Sequence, residues 1–462
     1  MTALNAPANF NWPLAYEAEA LLAAQIGAFL ARNPFAARLA ERMRAETGTE
    51  LFEWVDHLVV APEHEPAFRA AGFQPEGVDA PAGHTVLAHP HAMLPRVLVA
   101  GVAAAWPATV AVRPEHLADF MARQQITGEP EGAPGARYRS VVVDAGSGAV
   151  LRAVERLGYR GFMPAEPRPG FAADLLRARE LFRARRRDFP HDDEGVREAF
   201  AVGRRAVALV GVDTACELFF AEERRYWELR NRAARVQKNR QDRLGLGWAN
   251  HDHHTFRCSR RYFPELVRFL ETLGLAKRER FYAGAEAGWG AQVMEAPAVG
   301  IVVFADVDLL PAEVDRDYAA LRLPEIDEAR TVGTWCGLHG DSFLQAGMHH
   351  LEARFNFPLL REQLAAEGIA TMRPFSDFPF LKQAFTEGER WPVDPRRAEA
   401  LRDRGIITPE QCAAFIRDGA IGSHLENLQR QGGFKGFNQK AVSAIIAATD
   451  PRRVQAAASP PA

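Results

Sequence analysis

The spacing of apolar residues changes along the chain, and each change marks a different kind of element. In residues 17–30 and 36–46 apolar side chains recur every three or four positions, with arginine and glutamate between them, which predicts helices over residues 1–50. Residues 171–247 show the same helical spacing with many more arginines and glutamates. We expect this stretch to be a charged, solvated helical insert that links two halves of the chain.

Short strand-like segments replace the helical spacing in residues 51–170. The segment begins with a strand, a short helix and two further strands. A new strand at 138–143 leads through two glycines into residues 149–157, which we expect to be a helix. The order of strand, helix and strands predicts a degenerate βαβββ-like domain here.

The same order is clearer in residues 248–448. The strand at 252–258 is followed by an amphipathic helix that ends at a glycine and by three strands, and the order begins again with a strand at 349–355. A final helix is predicted at 438–448, and residues 449–462, rich in alanine, proline and serine, are expected to be disordered. The predicted fold class is α+β, with repeated βαβββ modules that form open barrels and with a helical insert.

Composition and charge are those of an ordinary globular chain. Of its 462 residues 47% are hydrophobic and 25% are charged, and the net charge is −3, so no bulk attraction to nucleic acid or to an anionic membrane is expected. No apolar run approaches the roughly 18 to 20 residues that span a bilayer, and the N-terminus shows no signal-peptide pattern. Four dispersed cysteines form no CxxC pair, which favours a cytoplasmic protein. A homo-oligomer is left open.

Two of the predicted strands carry clustered histidines, and strand geometry separates the members of each cluster. Side chains alternate between the faces of a strand, so His253 shares a face with Thr255 and Arg257, and His350 shares one with Glu352. The opposite faces are apolar apart from their own histidine, which suits packing against a helix. The alternation therefore selects His253 and His350 as the histidines that face a cavity.

The strand near the C-terminus adds a carboxylate. Glu426 lies on the same face as Arg430 and has mostly polar companions there. Two neutral imidazoles and one carboxylate, each from a different strand, form the facial triad that holds Fe(II) and leaves three coordination positions open. We therefore predict a metal site made by His253, His350 and Glu426.

Two other residues compete for a place in a site. Glu295, at the end of a predicted strand, is a rival carboxylate. His57 follows an aspartate as His253 does, and it marks a vestigial or alternative site in the first half of the chain.

The segment around Glu426 resembles the C-terminal signature of the 4-hydroxyphenylpyruvate dioxygenase and hydroxymandelate synthase family, within the vicinal oxygen chelate superfamily. The residues that carry the resemblance are Glu426, Gln429 and Arg430, the Gly-Gly-Phe turn at 432–434, the Asp-His pair at 252–253, and His350. The chain departs from the family pattern in the order Phe437-Asn438, where the family has asparagine first. The resemblance covers residues 248–448 and implies an Fe(II) site with the three ligands named above.

A second resemblance concerns the arginine beside the first histidine. The pattern His253-x-x-x-Arg257 resembles the 2-oxoadipate dioxygenase/decarboxylase family, another iron-dependent branch of the same superfamily. It implies that Arg257 holds a substrate carboxylate, which suits a bidentate guanidinium. We also expect four further residues at the pocket, namely Phe434 and Phe437 as walls and Asn438 and Gln345 as polar contacts.

The resemblances imply an Fe(II)-dependent dioxygenase that takes a small 2-oxo acid and O2, releases CO2 and hydroxylates the same molecule. Three alternatives stay open: an extradiol-type ring-cleaving dioxygenase, a non-redox enzyme that uses another divalent metal, and a binding module with a degenerate site. Neither nucleic acid nor a membrane is expected as a partner.

Overall fold

The computed structural model of this chain describes residues 12–101, 107–438 and 450–452. Its strands form two mixed sheets, one of seven strands and one of nine. The first sheet is built from the chain before residue 157 and the second from the chain after residue 250.

The strands of the first sheet are short, and those of the second include the longest strand described. The first sheet contains β1 (Val55–Val60), β2 (Gln74–Pro75), β3 (Thr85–Ala88), β4 (Arg96–Val99), β5 (Ala108–Val112), β6 (Tyr138–Asp144) and β7 (Ala149–Arg156). The second contains β8 (His251–Arg257), β9 (Ala276–Tyr282), β10 (Trp289–Ala296), β11 (Ile301–Asp308), β12 (His350–Arg354), β13 (Ser376–Phe378), β14 (Leu381–Phe385), β15 (Glu389–Trp391) and β16 (Ala420–Arg430).

The described residues form thirteen α-helices. They are α1 (Tyr16–Leu30), α2 (Pro34–Arg42), α3 (Glu65–Ala70), α4 (Leu117–Gln124), α5 (Phe171–Arg183), α6 (Asp192–Val210), α7 (Val212–Glu228), α8 (Arg232–Asp242), α9 (Phe263–Thr272), α10 (Thr331–His339), α11 (Phe357–Ala366), α12 (Pro395–Asp403) and α13 (Pro409–Asp418). α1 and α2, in the region predicted to be helical, share a hydrophobic core with the first sheet. Among the described residues, no helix has the length and apolar character needed to cross a bilayer.

In the second sheet the chain follows the order strand, helix and three strands twice, and in the second repeat β15, α12 and α13 are inserted before the last strand, β16, with which β15 pairs. The first strand of each module pairs in parallel with the last, which gives the spatial orders β8-β11-β10-β9 and β12-β16-β14-β13. The first strands, β8 and β12, are antiparallel neighbours. This pairing joins the two modules at the middle of the sheet and brings their histidine-bearing strands side by side.

The first sheet repeats the arrangement with one shortened module. β1, α3, β2, β3 and β4 form a complete module in the order β1-β4-β3-β2, whereas β5, α4, β6 and β7 form a module that has one strand fewer among the described residues. β1 and β5 are antiparallel neighbours, as β8 and β12 are in the second sheet. The region predicted as one degenerate domain therefore contains two modules.

The expectation of a helix at 149–157 is wrong, because Ala149–Arg156 forms strand β7. Ala149, Leu151 and Ala153 are fully buried on one face, and β7 pairs with strands on both sides. Helix propensity is a weak preference, and two hydrogen-bonded ladders with a buried face outweigh it.

The α+β class and the repeated βαβββ modules predicted from the sequence are confirmed. β9 and β13 end the path of the second sheet and do not pair with each other, so this sheet stays open. The predicted tail at 449–462 lies outside the described residues apart from 450–452, and so does the final helix expected at 438–448 apart from residue 438.

The helical insert packs on the second sheet and is more buried than the sequence indicates. Phe219, Phe220 and Trp227 of α7 are fully buried and share the hydrophobic core of the second sheet. Glu223 of the same helix is 1% exposed and forms ion pairs with two arginines. This burial corrects the expectation of a charged, solvated insert. In the sequence the aromatic residues of α7 lie among arginines and glutamates, which hides the buried face.

Candidate metal centre

Alternate side chains of five strands converge on one cavity of about 60 Å³ in the second sheet. They are His253, Thr255 and Arg257 of β8, Phe304 and Asp306 of β11, His350 and Glu352 of β12, Gln383 and Phe385 of β14, and Glu426 of β16. Strand register explains the convergence, because Glu352 pairs with His253 on one side and with Glu426 on the other. His253, His350 and Glu426 therefore share one cavity.

Asp252 and Arg430 fix the orientation of His253. Nε and Nη2 of Arg430 donate to the two carboxylate oxygens of Asp252 at 2.9 and 2.8 Å. Burial alone would raise the pKa of Asp252, but Arg430 and His253 hold it well below the ordinary value, so the carboxylate is ionised. Nδ1 of His253 lies 2.8 Å from Asp252 and must donate to it. The Nε2 lone pair of a neutral His253 then faces the cavity, as in a metal-ligating histidine with a carboxylate partner.

Glu352 occupies the centre of the site, a role that the sequence did not assign to it. Its Oε1 lies 2.8 Å from Nε2 of His253 and 2.8 Å from Nε2 of His350, and Thr255 donates to the same oxygen at 3.3 Å. The residue is 3% exposed. Burial would raise the pKa of Glu352, but the two histidines lower it well below its ordinary value.

This arrangement fits a cation. If Nδ1 of His253 carries the proton, its Nε2 and Oε1 of Glu352 are two acceptors at 2.8 Å, and only a proton or a metal ion between them makes that contact favourable. The neighbouring carboxylates of Glu352 and Asp252 outweigh the effect of burial and raise the pKa of His253. Two imidazoles and a carboxylate that converge in this way are the donor set of a divalent metal site.

Glu426 supplies a second carboxylate at the edge of the cluster. Its Oε2 lies 3.8 Å from Nε2 of His350, and its Oε1 accepts a hydrogen bond of 2.8 Å from the side-chain amide of Gln383. Burial and the nearby charge of Glu352 raise the pKa of Glu426 well above its ordinary value. Donor atoms of His350, Glu352 and Glu426 all lie within 4.8 Å of one another, the spacing that one ion can bridge.

Arg257 is a buried guanidinium that faces the cavity. It is 3% exposed, and its Nε has no hydrogen-bond partner among the described residues. Its guanidinium carbon lies 5.7 Å from the ring centre of Trp335. Burial lowers the pKa of Arg257 and raises that of nearby Asp306 well above its ordinary value. The buried Nε of Arg257 lacks an acceptor among the described residues, so an anionic ligand group would fit this position.

Aromatic side chains also line the cavity. Phe437 packs edge-to-face on Phe281 and Phe304, with ring centres 5.1 and 5.0 Å apart. Asn438 also lines the cavity, and its side-chain amide donates to the carbonyl oxygen of Phe375 at 3.1 Å. The structure thus places Arg257, Phe437 and Asn438 at the cavity, as expected for substrate contacts.

Two residues expected at the pocket lie elsewhere. Nε2 of Gln345 donates to Asp192 of α6 at 2.5 Å, away from the cavity lining. Phe434 packs against Phe380 with ring centres 5.1 Å apart, and its carbonyl oxygen accepts from Arg430. This placement corrects the expectation for both. Phe434 belongs to the turn whose carbonyl oxygens accept hydrogen bonds from Arg430. The local sequence does not distinguish a residue of this turn from a residue of the pocket wall.

The rival residues and neighbouring histidines have other partners. Glu295 accepts from Lys435 at 2.9 Å and does not line the cavity. His254 contacts Arg224 at 3.2 Å on the opposite face of β8. His349 touches the cavity, but its Nδ1 lies 2.9 Å from the carbonyl oxygen of Gly422. Strand alternation therefore separated His253 from His254 correctly.

The first sheet contains a counterpart of the support that orients His253. Arg156 donates to both oxygens of Asp56 at 2.6 and 2.8 Å, and Asp56 lies 2.7 Å from Nδ1 of His57. The side chain of His57 is buried and packs edge-to-face on Phe162. The same aspartate, histidine and arginine geometry is thus present in both sheets.

Within the described residues, the first sheet has no equivalents of the other three donors, which are His350, Glu352 and Glu426. Strand register gives the equivalent positions, which are Thr109 for His350, Ala111 for Glu352 and Arg152 for Glu426. None of these offers an imidazole or a carboxylate, and Arg152 brings a positive charge. The described surroundings of His57 therefore lack the donor set found in the second sheet.

No family model matches this chain, and no curated protein matches it. The similar solved structures include a mutant of 4-hydroxymandelate synthase from Streptomyces coelicolor, with 14% identity, a TM-score of 0.27, and coverage of 88% of this chain and 99% of that one. Methylmalonyl-CoA epimerase from Mycobacterium tuberculosis has 10% identity, a TM-score of 0.23, and coverage of 39% and 88%. YdcJ, an uncharacterized protein from Shigella flexneri, has 14% identity, a TM-score of 0.24, and coverage of 55% and 73%. Likenesses at these TM-scores assign no function to this chain.

Proposed function

We propose that this chain is an Fe(II)-dependent dioxygenase that acts on a 2-oxo acid, releases CO2 and hydroxylates the same molecule. The observation that carries the proposal is the convergence of Nε2 of His253 and Nε2 of His350 on one carboxylate oxygen, each at 2.8 Å, in a buried cavity. Glu426 lies beside them as the candidate third ligand. Two imidazoles and one carboxylate leave open positions for substrate, which is the arrangement of non-haem Fe(II) oxygenases.

The protein's part in this chemistry is to hold and orient the donors. Fe(II) bound there would supply Lewis acidity and reactivity toward O2, which side chains alone do not provide. Asp252 keeps the proton of His253 on Nδ1, so that Nε2 is available as a ligand. Gln383 donates to one oxygen of Glu426 and leaves the other oxygen directed toward His350.

Arg257 favours a substrate that carries an additional carboxylate. Its guanidinium lines the cavity two residues from Thr255 on the same face of β8, and its Nε has no partner in the described part of the chain. A carboxylate bound there would form charge-assisted hydrogen bonds to a planar donor. The proposed substrate is therefore a small 2-oxo dicarboxylic acid.

The aromatic wall makes the cavity a dry environment for a reactive group. The cavity lining includes the phenylalanines Phe281, Phe304, Phe385 and Phe437 and the ring of Trp289. Exclusion of water strengthens the interactions of the buried charges and limits side reactions. The polar groups that line the cavity include the candidate ligands, Arg257 and Asn438.

The test is anaerobic loading with Fe(II), followed by measurement of O2 uptake and CO2 release across a panel of 2-oxo acids. We expect equal consumption of O2 and release of CO2, with preference for acids that carry a second carboxylate. The Glu426→Ala variant should lose this activity, whereas Glu295→Ala, which removes a carboxylate outside the cavity, should retain it. O2 uptake with catechols and without CO2 would instead indicate a ring-cleaving dioxygenase.

Glu352 favours one second candidate, a non-redox metal-dependent enzyme. A second buried carboxylate beside the metal ligands can hold or move a proton, which an isomerase or lyase requires. Turnover of a 2-oxo acid under strict exclusion of O2, with Mn(II) or Zn(II) in place of Fe(II), would support this candidate. Dependence of all turnover on O2 would exclude it.

A further inference from the structure

We propose that Glu352 is itself a metal ligand, so that the substrate-free centre is a set of two histidines and two carboxylates. This inference rests on the proposed function, because it assumes that the cavity binds a divalent metal. It assigns a role to a residue that neither the alternation argument nor the resemblance to known families singled out.

The distances at Glu352 are those of neighbouring ligands around one ion. Ligand atoms about 2.1 Å from a metal and at right angles to each other lie about 3.0 Å apart. Oε1 of Glu352 lies 2.8 Å from Nε2 of His253 and 2.8 Å from Nε2 of His350. Each histidine nitrogen therefore lies at the spacing of a neighbouring ligand from Oε1 of Glu352.

The second oxygen of Glu352 accepts no hydrogen bond from an N–H or hydroxyl donor among the described residues. Oε2 is buried and forms no hydrogen bond within the described residues, although the residue is only 3% exposed. A buried carboxylate oxygen without a hydrogen bond is costly, and coordination of a cation removes that cost. Thr255 donates to Oε1 at 3.3 Å, which keeps the carboxylate directed between the two histidines.

Comparison of equivalent positions shows that the fold does not require a carboxylate here. In the other module of the second sheet, Thr255 follows His253 by two residues, as Glu352 follows His350. In the first sheet the register equivalent of Glu352 is Ala111. Threonine and alanine occupy the equivalent positions, so the strand itself does not require glutamate. Glutamate is present at the position where the side chains of His253 and His350 meet.

The charge of the set also suits a divalent ion. The carboxylates of Glu352 and Glu426 would balance a charge of two, while the histidines bind as neutral ligands. Four protein donors would leave two positions of an octahedron in the substrate-free centre, and release of the Glu352 carboxylate would open the third position that a chelating 2-oxo acid and O2 need together. With one carboxylate alone, the buried centre would carry a net positive charge.

The inference is tested by anaerobic Mn(II) binding to the full chain, measured by calorimetry and by competition with a chelating dye. Glu352→Gln and Glu426→Gln should each weaken Mn(II) binding by more than about 100-fold, because removal of an outer hydrogen-bond partner already costs 10- to 100-fold. Glu295→Gln is the matched control and should bind Mn(II) as the wild type does. Circular dichroism and thermal unfolding establish that each variant is folded.

The outcomes separate this inference from the proposed function. Absence of Mn(II) and Fe(II) binding by the wild type contradicts both. Normal binding by folded Glu352→Gln, with loss in Glu426→Gln, overturns only the assignment of Glu352. If Glu352→Gln does not fold, a crystal structure of the Mn(II)-loaded wild type decides, because a ligand oxygen lies about 2.2 Å from the ion. An ion coordinated by His253, His350 and Glu426 but not by Glu352 would refute the assignment.

Discussion

Arg430 and Asp252 are joined by two hydrogen bonds of 2.9 and 2.8 Å, although 178 residues separate them in the chain. Through this pair the last strand of the second module sets the tautomer of His253 in the first strand of the preceding module. The same arginine donates to the carbonyl oxygens of Phe434 and Gly436, so it also fixes the turn that leads to Phe437. One guanidinium thus connects the candidate metal ligand to the aromatic wall of the cavity.

Loss of the charge on Asp252 should weaken metal binding. In Asp252→Asn the side chain keeps its size, but Nδ1 of His253 loses its carboxylate acceptor, and affinity for Fe(II) or Mn(II) should fall by about 10- to 100-fold. Asp56→Asn is the matched control, since Asp56 makes the equivalent contacts in the first sheet beside no metal donor set. It should leave the metal affinity unchanged. Equal losses in both variants would indicate a general effect on folding.

Asp56 should make the stability of the chain depend on pH in the acid range. Burial would raise the pKa of Asp56, but Arg156 and His57 lower it well below the ordinary 3.8. A carboxylate with a depressed folded-state pKa stabilises the fold above its unfolded pKa and loses that contribution as the pH falls through the folded value. Urea unfolding of the wild type should therefore show falling stability below about pH 4. The Asp56→Asn variant should be less stable at neutral pH and show a smaller decrease in acid.

Arg257 should act on substrate binding and not on metal binding. Hydrogen bonds to charged groups contribute about 1.5–3 kcal/mol, so Arg257→Gln should raise KM for a 2-oxo dicarboxylic acid by about 10- to 100-fold. The KM for a 2-oxo acid without a second carboxylate should change little, and so should the affinity for Mn(II). If KM for both kinds of acid rises equally, Arg257 does not read the additional carboxylate.

Glu223 should be important for stability, because the insert is part of the core. Its carboxylate is 1% exposed and pairs with Arg185 at 2.9 Å and Arg187 at 2.6 Å. Removal of one partner of a buried ion pair costs about 3–5 kcal/mol, so Glu223→Gln should lower the free energy of unfolding by that order. The exposed pair Arg417–Asp418 provides the control, and Asp418→Asn should change stability by less than about 1 kcal/mol.

Strand periodicity was enough to find the cavity-facing side of the three strands that carry the candidate ligands. The inward faces of three strands carry His253, His350 and Glu426. Each is selected by the alternation of side chains along its strand, which depends on local geometry alone. Glu352 was placed on the same face as His350, but its position opposite His253 depends on the register between β8 and β12. Register between strands about 100 residues apart is a tertiary property, which a local pattern does not specify.

Other expectations failed for related reasons. The sequence of residues 149–157 predicts a helix. These residues form a strand instead, because β5 and β6 pair with them from both sides. Gln345 was expected at the pocket, and its amide is instead held by Asp192 of the insert. Both differences come from contacts between distant segments. The second module of the first sheet was missed in the same way, since its strands are recognisable only once paired.

Metal stoichiometry after anaerobic Fe(II) reconstitution tests the central claim most directly. The wild-type chain should retain one Fe(II) per chain after removal of unbound metal, and His350→Ala should retain none while keeping its fold. A wild type that retains no metal, or a folded His350→Ala variant that retains as much as the wild type, would contradict the claim that this cavity is a metal centre.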